Sequence, residues 1–588
     1  MSDMRTRRPV ARFDRRFFEG VETFTAIGRG ALGGKAAGQR RARDVLESRP
    51  DTLRFDALEI SVPTLTVIAT DVFDLFLDRT GLRALVAAEP GDHHVARAFQ
   101  QADLPVEIAG DLWDLVRRVR TPLAVRSSSL LEDAIDHPFA GVYGTKMTPN
   151  DAFDAETRFR RLVEAIKYVW ATAFFRDARA AVRAAGRDPD DEKMAVIVQE
   201  VVGRRHAARF YPEVAAVARS WNFYPYAAAS PEEGVIDLAL GLGKTIVDGG
   251  RTWTYSPDRP KAAAPLSIPD ELLEQTQTGF WAIRMGPPPA YDPTVEVEYM
   301  ERYDLAEAER DGVLHRVAST WDVGRDRLVP GTAAIGPRVL DFAPLLHTSV
   351  WPFNPAVRGL MALFEDALES PVEIELALTF PERADAAARL GFLQVRPMAR
   401  TSEAVEVPES SLRDEGVVIA SGRVLGNGVA AGIRDLVYVR PDAFDAMRTR
   451  AIAGEIGALN RRLVDAGKPY VLIGFGRWGS SEPTLGIPVT WAQIAGARAI
   501  VEAASPRVRA DMSQGSHFFH NIVGLRVPYF SIGSRGNERI DWDWLESLPC
   551  LEAGSHVRWV ESPQPLSVRV DGRAARGVIT RAQEGLSA

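Results

Sequence analysis

Three short stretches of this chain place charged and hydroxyl side chains in or beside apolar strands. In PLAVRSSSLLED an apolar run ends at Arg126, followed by Ser127, Ser128 and Ser129, so a forked guanidinium meets a row of hydroxyls. That combination suits a polyphosphate, although an Arg-Ser cluster taken alone equally suits a surface turn. In PVEIEL, Glu373 and Glu375 lie two apart in an apolar context and therefore share one face of a strand. In GFLQVRPM, Gln394 and Arg396 repeat the spacing. One such pair is an ordinary solvated face; two on neighbouring strands point to a site.

Glycine-rich turns accompany these strands. Gly28, Gly30 and Gly33 formally satisfy G-x-G-x-x-G, with Lys35 close behind. A dinucleotide fold also needs an acidic residue on a second strand, and Glu47 and Asp51 precede only an unconvincing one. Gly241-Leu242-Gly243-Lys244-Thr245 looks like the end of a phosphate-binding P-loop, but Leu238 stands where that motif has its first glycine. A third reading keeps both turns, because backbone N–H groups unobstructed by a Cβ can line an anion site. A flexible turn without a ligand is the plain alternative.

The elements that must carry these residues alternate between strand and helix. VETFTAIGRGALGGKAAGQRRARDVL reads as strand, glycine turn and helix, and ISVPTLTVIATDVFDLFL as a strand-like run leading into a helix. KMAVIVQEVVG is a strand by its β-branched run, PVEIELALTF and GFLQVRPM are neighbouring strands, and PYVLIGFG is another. The expected organisation is a basic tail at 1–20, lobes at 21–210 and 211–401, a linker at 402–413 rich in Glu, Ser and Pro, and a further unit at 414–588. The fold class is α/β (α+β), in several modules.

Composition narrows the functions. At 588 residues several cores are expected. A net charge of −8 argues against a general nucleic-acid binder. Cys550 is the only cysteine, which leaves no intrachain disulfide and no thiolate cluster and fits a cytoplasmic protein. No run of about 20 apolar residues suggests a membrane span.

Taken together the motifs resemble one family, that of pyruvate, phosphate dikinase and phosphoenolpyruvate synthase. VRSSSLLEDAIDHPFAG resembles its V-R-S-S-x-x-x-E-D-x-x-x-x-x-F-A-G segment, LGGKAAG its G-G-K motif, MAVIVQEVV its hinge strand and LALGLGKTIVDG its G-L-G-E-x-V-x-G turn. PVEIEL with GFLQVRPM resembles the paired D-I-E-W and L-Q-x-R-P strands, and the segments fall in the family's order from about Ala26 to Met398. The resemblance implies an ATP-grasp module binding ATP and Mg2+. Lys35 and Arg126, with Ser127 beside it, would meet the phosphates; Gln199 and Val201 would lie at the adenine hinge, and Gly241 and Gly243 in the second turn. Glu375 and Gln394 would hold magnesium with Glu373 in support, and Arg396 would reach the γ-phosphate.

Two departures stand out: Lys244 replaces the glutamate of G-L-G-E, and AAVARSWNFYP replaces G-V-x-F-T. The C-terminal SQGSHFFHNIVGLRVPYFSIG distantly resembles the family's phosphohistidine signature and aligns His517 with the phosphorylated histidine. A neutral imidazole is a competent nucleophile near pH 7; His517 and His520 could equally serve local hydrogen bonds. The loop FGRWGSSEPTLGIPV is unusual and falls outside the dikinase pattern. The family's barrel for phosphoenolpyruvate and pyruvate, which needs about 250 residues, is not expected within the residues that follow the linker. The expected function is ATP-dependent phosphotransfer to an unidentified small-molecule or protein acceptor, with an ATP-sensing partner subunit and an ATP-grasp carboxylate ligase as the other readings.

Overall fold

The computed structural model describes residues 10–14, 23–132, 140–223, 230–261, 272–273, 276–286, 290–348, 350–383, 386–398, 405–482, 484–504, 518, 521–523, 525–533, 538–572 and 574–581. His517 and His520 lie outside the described residues, as do the N-terminal residues 1–9 and the stretch 401–404. Among the described residues no helix is long and apolar enough to cross a membrane.

Among the described residues, two six-stranded sheets, joined by smaller ones of four and three strands, build the first two thirds of the chain. The first runs in the order Ala11–Arg12, Phe24–Ile27, Leu65–Ile68, Met194–Glu200, Leu123–Ser129 and Thr145–Thr148. Leu123, Val125, Met194, Val196 and Val198 face a core built with the helix Ala155–Thr172. On the opposite face Ala195 and Ile197 meet Ala36 of the helix Gly34–Glu47. Strand alternation thus puts Ala124, Arg126 and Ser128 on the helix side.

The second sheet runs Trp253–Tyr255, Val235–Ala239, Val214–Arg219, Val372–Thr379, Ala388–Pro397 and Leu58–Ser61. Val372, Ile374, Leu376 and Leu378 face the core on one side together with Phe353, Leu360 and Phe364 of the helix Phe353–Leu368. The Gly34–Glu47 helix adds Ala42 and Leu46 to this second core, so it bridges the two sheets.

The run ISVPTLTVI, which reads as one strand-like segment, is two strands in different sheets. Leu58–Ser61 joins the second sheet and Leu65–Ile68 the first. Pro63, which cannot donate a backbone N–H, lies at the crossing.

Among the described residues the last third forms a sheet of ten strands. Gly428–Val439, Tyr470–Phe475, Ala497–Ala503 and Tyr529–Ile532 are parallel neighbours, with the helix Thr449–Asp465 between the first two in sequence. The described part of the expected linker is not free chain. Val407 and Leu412 are buried with Val417, Ala420 and Val578, and the Val407 N–H donates to Asp571 Oδ2 at 3.3 Å. Two apolar side chains among charged ones suffice to pin it.

This C-terminal unit docks on the lobes built by the two six-stranded sheets at separate places. Asn521 exchanges two hydrogen bonds with the Ala140 backbone at 2.9 and 2.6 Å, and Arg461 donates to Asp177 at 2.6 Å. Further round, the 477–484 loop meets residues 248–251.

Candidate functional site

The polar pairs foreseen on the two strands converge where the sheets face each other. Arg126 lies in the middle of the strand Leu123–Ser129, which runs on through the three serines and does not end at Arg126 as the apolar run suggests; it donates through Nη2 to Gln394 Oε1 at 2.7 Å and lies 3.7 Å from Glu375 Oε2. Glu373 and Arg396 are cross-strand partners, as are Glu375 and Gln394. The strand Ala388–Pro397 carries a bulge: Glu375 pairs with Gln394 but Leu376 pairs with Phe392, leaving Leu393 as an extra residue. Ala388, Leu390 and Phe392 therefore face the core, and beyond the bulge Val395 does so, while Gln394 and Arg396 turn to the site. Gln39 of the bridging helix donates to the bulged Leu393 carbonyl at 2.6 Å.

The two glutamates are not equivalent. Glu373 is fully buried, and its oxygens accept from Arg396 Nε and Arg219 Nε, each at 2.7 Å. Arg219 in turn donates to Asp237 Oδ2 at 2.7 Å. Burial alone would lower the Arg219 pKa, but Glu373 and Asp237 outweigh it and the pKa is raised. Glu373 thus supports Arg396 and Arg219 from beneath. The Glu375 side chain keeps 13% exposure and meets Arg396 Nη2 at a looser 3.4 Å.

Lys35 occupies the adjoining corner. Its Nζ contacts Glu132 Oε1 at 2.6 Å and Ser127 Oγ at 3.2 Å, and Ser127 Oγ donates to the same carboxylate oxygen at 3.0 Å. The glycines before it act by proximity: a Cβ on Gly33 would overlap the Ser128 carbonyl, and one on Gly34 the Glu132 carbonyl. The upstream turn does cradle an anion, but the chain supplies its own. Arg29 N–H and Gly30 N–H donate to the two oxygens of Asp71 at 2.8 and 2.9 Å. These two N–H groups are thus engaged within the chain itself.

The hinge and second turn lie further along. Gln199 is buried, and its carbonyl oxygen accepts from Gln39 at 3.4 Å, so this side chain packs against the bridging helix. Val201 and Met147 pack against the apolar cluster that includes Leu242, inside the second glycine turn. Gly241 has φ 87°, where a Cβ would press on the Trp281 carbonyl at 2.6 Å, and Gly243 caps the short helix Lys244–Val247. Lys244 pairs with Asp248 at 2.8 Å; burial lowers its pKa, but Asp248 and Glu296 carry it upward.

Sequence reading missed Glu132 and Arg219. Glu132 stands at the acidic position of V-R-S-S-x-x-x-E-D, and Arg219 follows an apolar run just as Arg126 does.

For a metal, Glu375 and Gln394 present two oxygens towards the same guanidinium. Among the described residues no group of three or more His, Cys, Asp or Glu could hold a metal ion. This donor set fits magnesium, which binds through one or two carboxylates together with substrate phosphates, and does not form an all-protein cage.

The arrangement offers cationic donors from both sheets around a partly open carboxylate, as binding a polyphosphate demands. No curated protein matches the chain. Over residues 30–416, however, it matches the family described as pyruvate phosphate dikinase, AMP/ATP-binding domain. With that match spanning well over half of the sequence, the chain belongs to the pyruvate phosphate dikinase AMP/ATP-binding family.

Proposed function

We propose that the chain is an ATP-dependent, dikinase-like phosphotransferase whose ATP lies between the two six-stranded sheets. The observation that carries this reading is the meeting of Arg126 with Gln394 and Glu375, donors and acceptors from opposite sheets at 2.7 and 3.7 Å. Lys35 and Arg126 bind the phosphates, and Arg396 reaches the terminal one, held on its buried side by Glu373. Magnesium would be held by Glu375 and Gln394 and would neutralise phosphate charge when bound. Phosphoryl transfer asks the protein chiefly for positioning and charge neutralisation, which a rigid set of paired arginines supplies.

The acceptor step runs through His517 in this reading. A ring nitrogen attacks phosphorus, the bond to the departing phosphate oxygen breaks, and the proton of the imidazole passes to solvent. If the attack is on the β-phosphorus, AMP leaves with the bridging oxygen and both terminal phosphates stay on the ring; water then attacks the γ-phosphorus, the β–γ bond breaks, and inorganic phosphate leaves the β-phosphoryl on the histidine.

A second reading, an ATP-sensing subunit, is favoured by how completely the site neutralises itself. Lys35 is paired with Glu132, Arg396 with Glu373, and Lys244, where the family has glutamate, with Asp248.

The deciding experiment supplies Mg-ATP labelled separately on its β- and γ-phosphates, with His517→Ala alongside. AMP release with acid-labile label that vanishes in the variant supports the histidine route. ADP formation independent of His517 points to direct γ-transfer or to acyl-phosphate ligation. Tight binding with neither label nor turnover sinks phosphotransfer and leaves sensing.

A further inference from the structure

The loop FGRWGSSEPTLG belongs to the C-terminal unit, yet its tip is bonded to the nucleotide-side lobes. The Ser481 N–H donates to the Asp248 carbonyl at 3.0 Å, and Ser480 Oγ donates to the Gly249 carbonyl at 3.2 Å. The Arg251 N–H donates to Glu482 Oε1 at 3.2 Å, and the Arg251 guanidinium pairs with the other oxygen. Arg302 approaches the same carboxylate at 3.8 Å. Backbone groups of three of the four residues from Asp248 to Arg251 are therefore read by one loop. A Cβ on Gly250 would press on Glu482 Oε1 at 3.1 Å and on the Thr245 carbonyl at 3.0 Å, so the fit is close on both sides.

The loop is built to hold its shape. Trp478 is fully buried, and its indole N–H donates to the Val501 carbonyl at 3.0 Å. Arg477–Trp478 pairs with Gly486–Ile487, and Gly479, at φ 79°, packs against Phe518. What it grips is the end of the Gly241–Gly243 turn. The helix Lys244–Val247 follows those glycines, Lys244 is ion-paired to Asp248, and the Gly250 N–H returns to the Thr245 carbonyl at 2.8 Å.

We propose that the Arg477–Glu482 loop is an interdomain latch that positions the Gly241–Arg251 segment, so that C-terminal docking and nucleotide binding are coupled. Coupling of this kind is reciprocal: whatever docking does to nucleotide affinity, nucleotide must do to docking. The latch itself rests on the contacts above; its effect on affinity rests on the ATP reading.

The test uses the full chain as wild type, Glu482→Arg, and the paired swap Glu482→Arg with Arg251→Glu. Hydrogen exchange is followed at Ile246–Gly250, whose amides bond within their own turn, and affinity is titrated with a fluorescent ATP analogue plus magnesium. Exchange there should rise at least tenfold in the single variant, affinity should fall at least threefold, and the swap should recover much of both. Unchanged exchange in Glu482→Arg overturns the latch, and raised exchange with unchanged affinity overturns the coupling. If the wild type binds no nucleotide, the ATP reading fails, and the latch is decided by exchange alone.

Discussion

Glu373 and Glu375 sit two residues apart on one strand face, and replacing each by glutamine should give opposite phenotypes. Glu373 is 1% exposed and accepts from two buried arginines, each at 2.7 Å. Glutamine removes the charge, keeps one acceptor oxygen, and turns an N–H2 towards a guanidinium. Breaking a buried ion pair from one side costs about 3–5 kcal/mol. Asp237 still faces Arg219 and Glu375 still faces Arg396, so the lower end, about 3 kcal/mol, applies.

Glu375 contacts its arginines only at 3.4 and 3.7 Å and reaches solvent. Its loss should therefore cost under about 1 kcal/mol. A gap of about 2 kcal/mol is a factor of about 30 in the folding equilibrium. Urea unfolding of the full chain, reading the transition of the nucleotide module, measures the first quantity, and calorimetric titration with Mg-ATP measures the second. Glu373→Gln should unfold early, whereas Glu375→Gln should fold normally and lose magnesium-dependent affinity by at least tenfold. Glu375→Gln proving as destabilising as Glu373→Gln would refute the division of labour.

Gly34→Ala should destabilise by about 1–3 kcal/mol through overpacking against the Glu132 carbonyl, and lower nucleotide affinity by displacing Lys35; thermal unfolding with a binding titration checks both. Asp71→Ala should cost about 1–2 kcal/mol and speed exchange at Arg29 and Gly30, whose N–H groups lose their acceptor. Burial pushes Glu213 up to about 7, against the pull of Arg204. Because the folded value lies above the unfolded one, stability falls as pH rises from about 4.5 to about 7, by up to about 3 kcal/mol. Glu213→Gln should abolish that part of the slope, as urea unfolding at pH 5 and pH 8 would record.

Much of the site was legible because strands have a period of two. Alternation alone placed Glu373 with Glu375 and Gln394 with Arg396, and the structure makes them cross-strand partners. What alternation could not reveal was which glutamate is sealed. That depends on Arg219, more than 150 positions earlier in the chain and the cross-strand neighbour of Glu373. The glycines were visible as a pattern, but their reasons differ from phosphate contact alone: Gly33 and Gly34 admit a neighbouring backbone, and Gly28–Gly30 wraps the Asp71 carboxylate. Nothing in FGRWGSSEPTLG announces what it grips, because most of its contacts are to backbone groups, which leave no signature in the partner sequence, and its one carboxylate could pair with any of many arginines.

The extra residue at Leu393 sets a rule for how this strand can change. A regular strand must give each of its faces to one environment from end to end. Here the half up to Phe392 seals a greasy layer, and Gln394 and Arg396, one step out of phase, line polar ground. Straightening the strand with all its residues kept would rotate both polar side chains into the oil and Val395 out of it. Deleting Leu393 would instead leave Phe392 and Val395 inward with Gln394 and Arg396 outward, so the extra residue is tied to the sequence around it and the two can change only together.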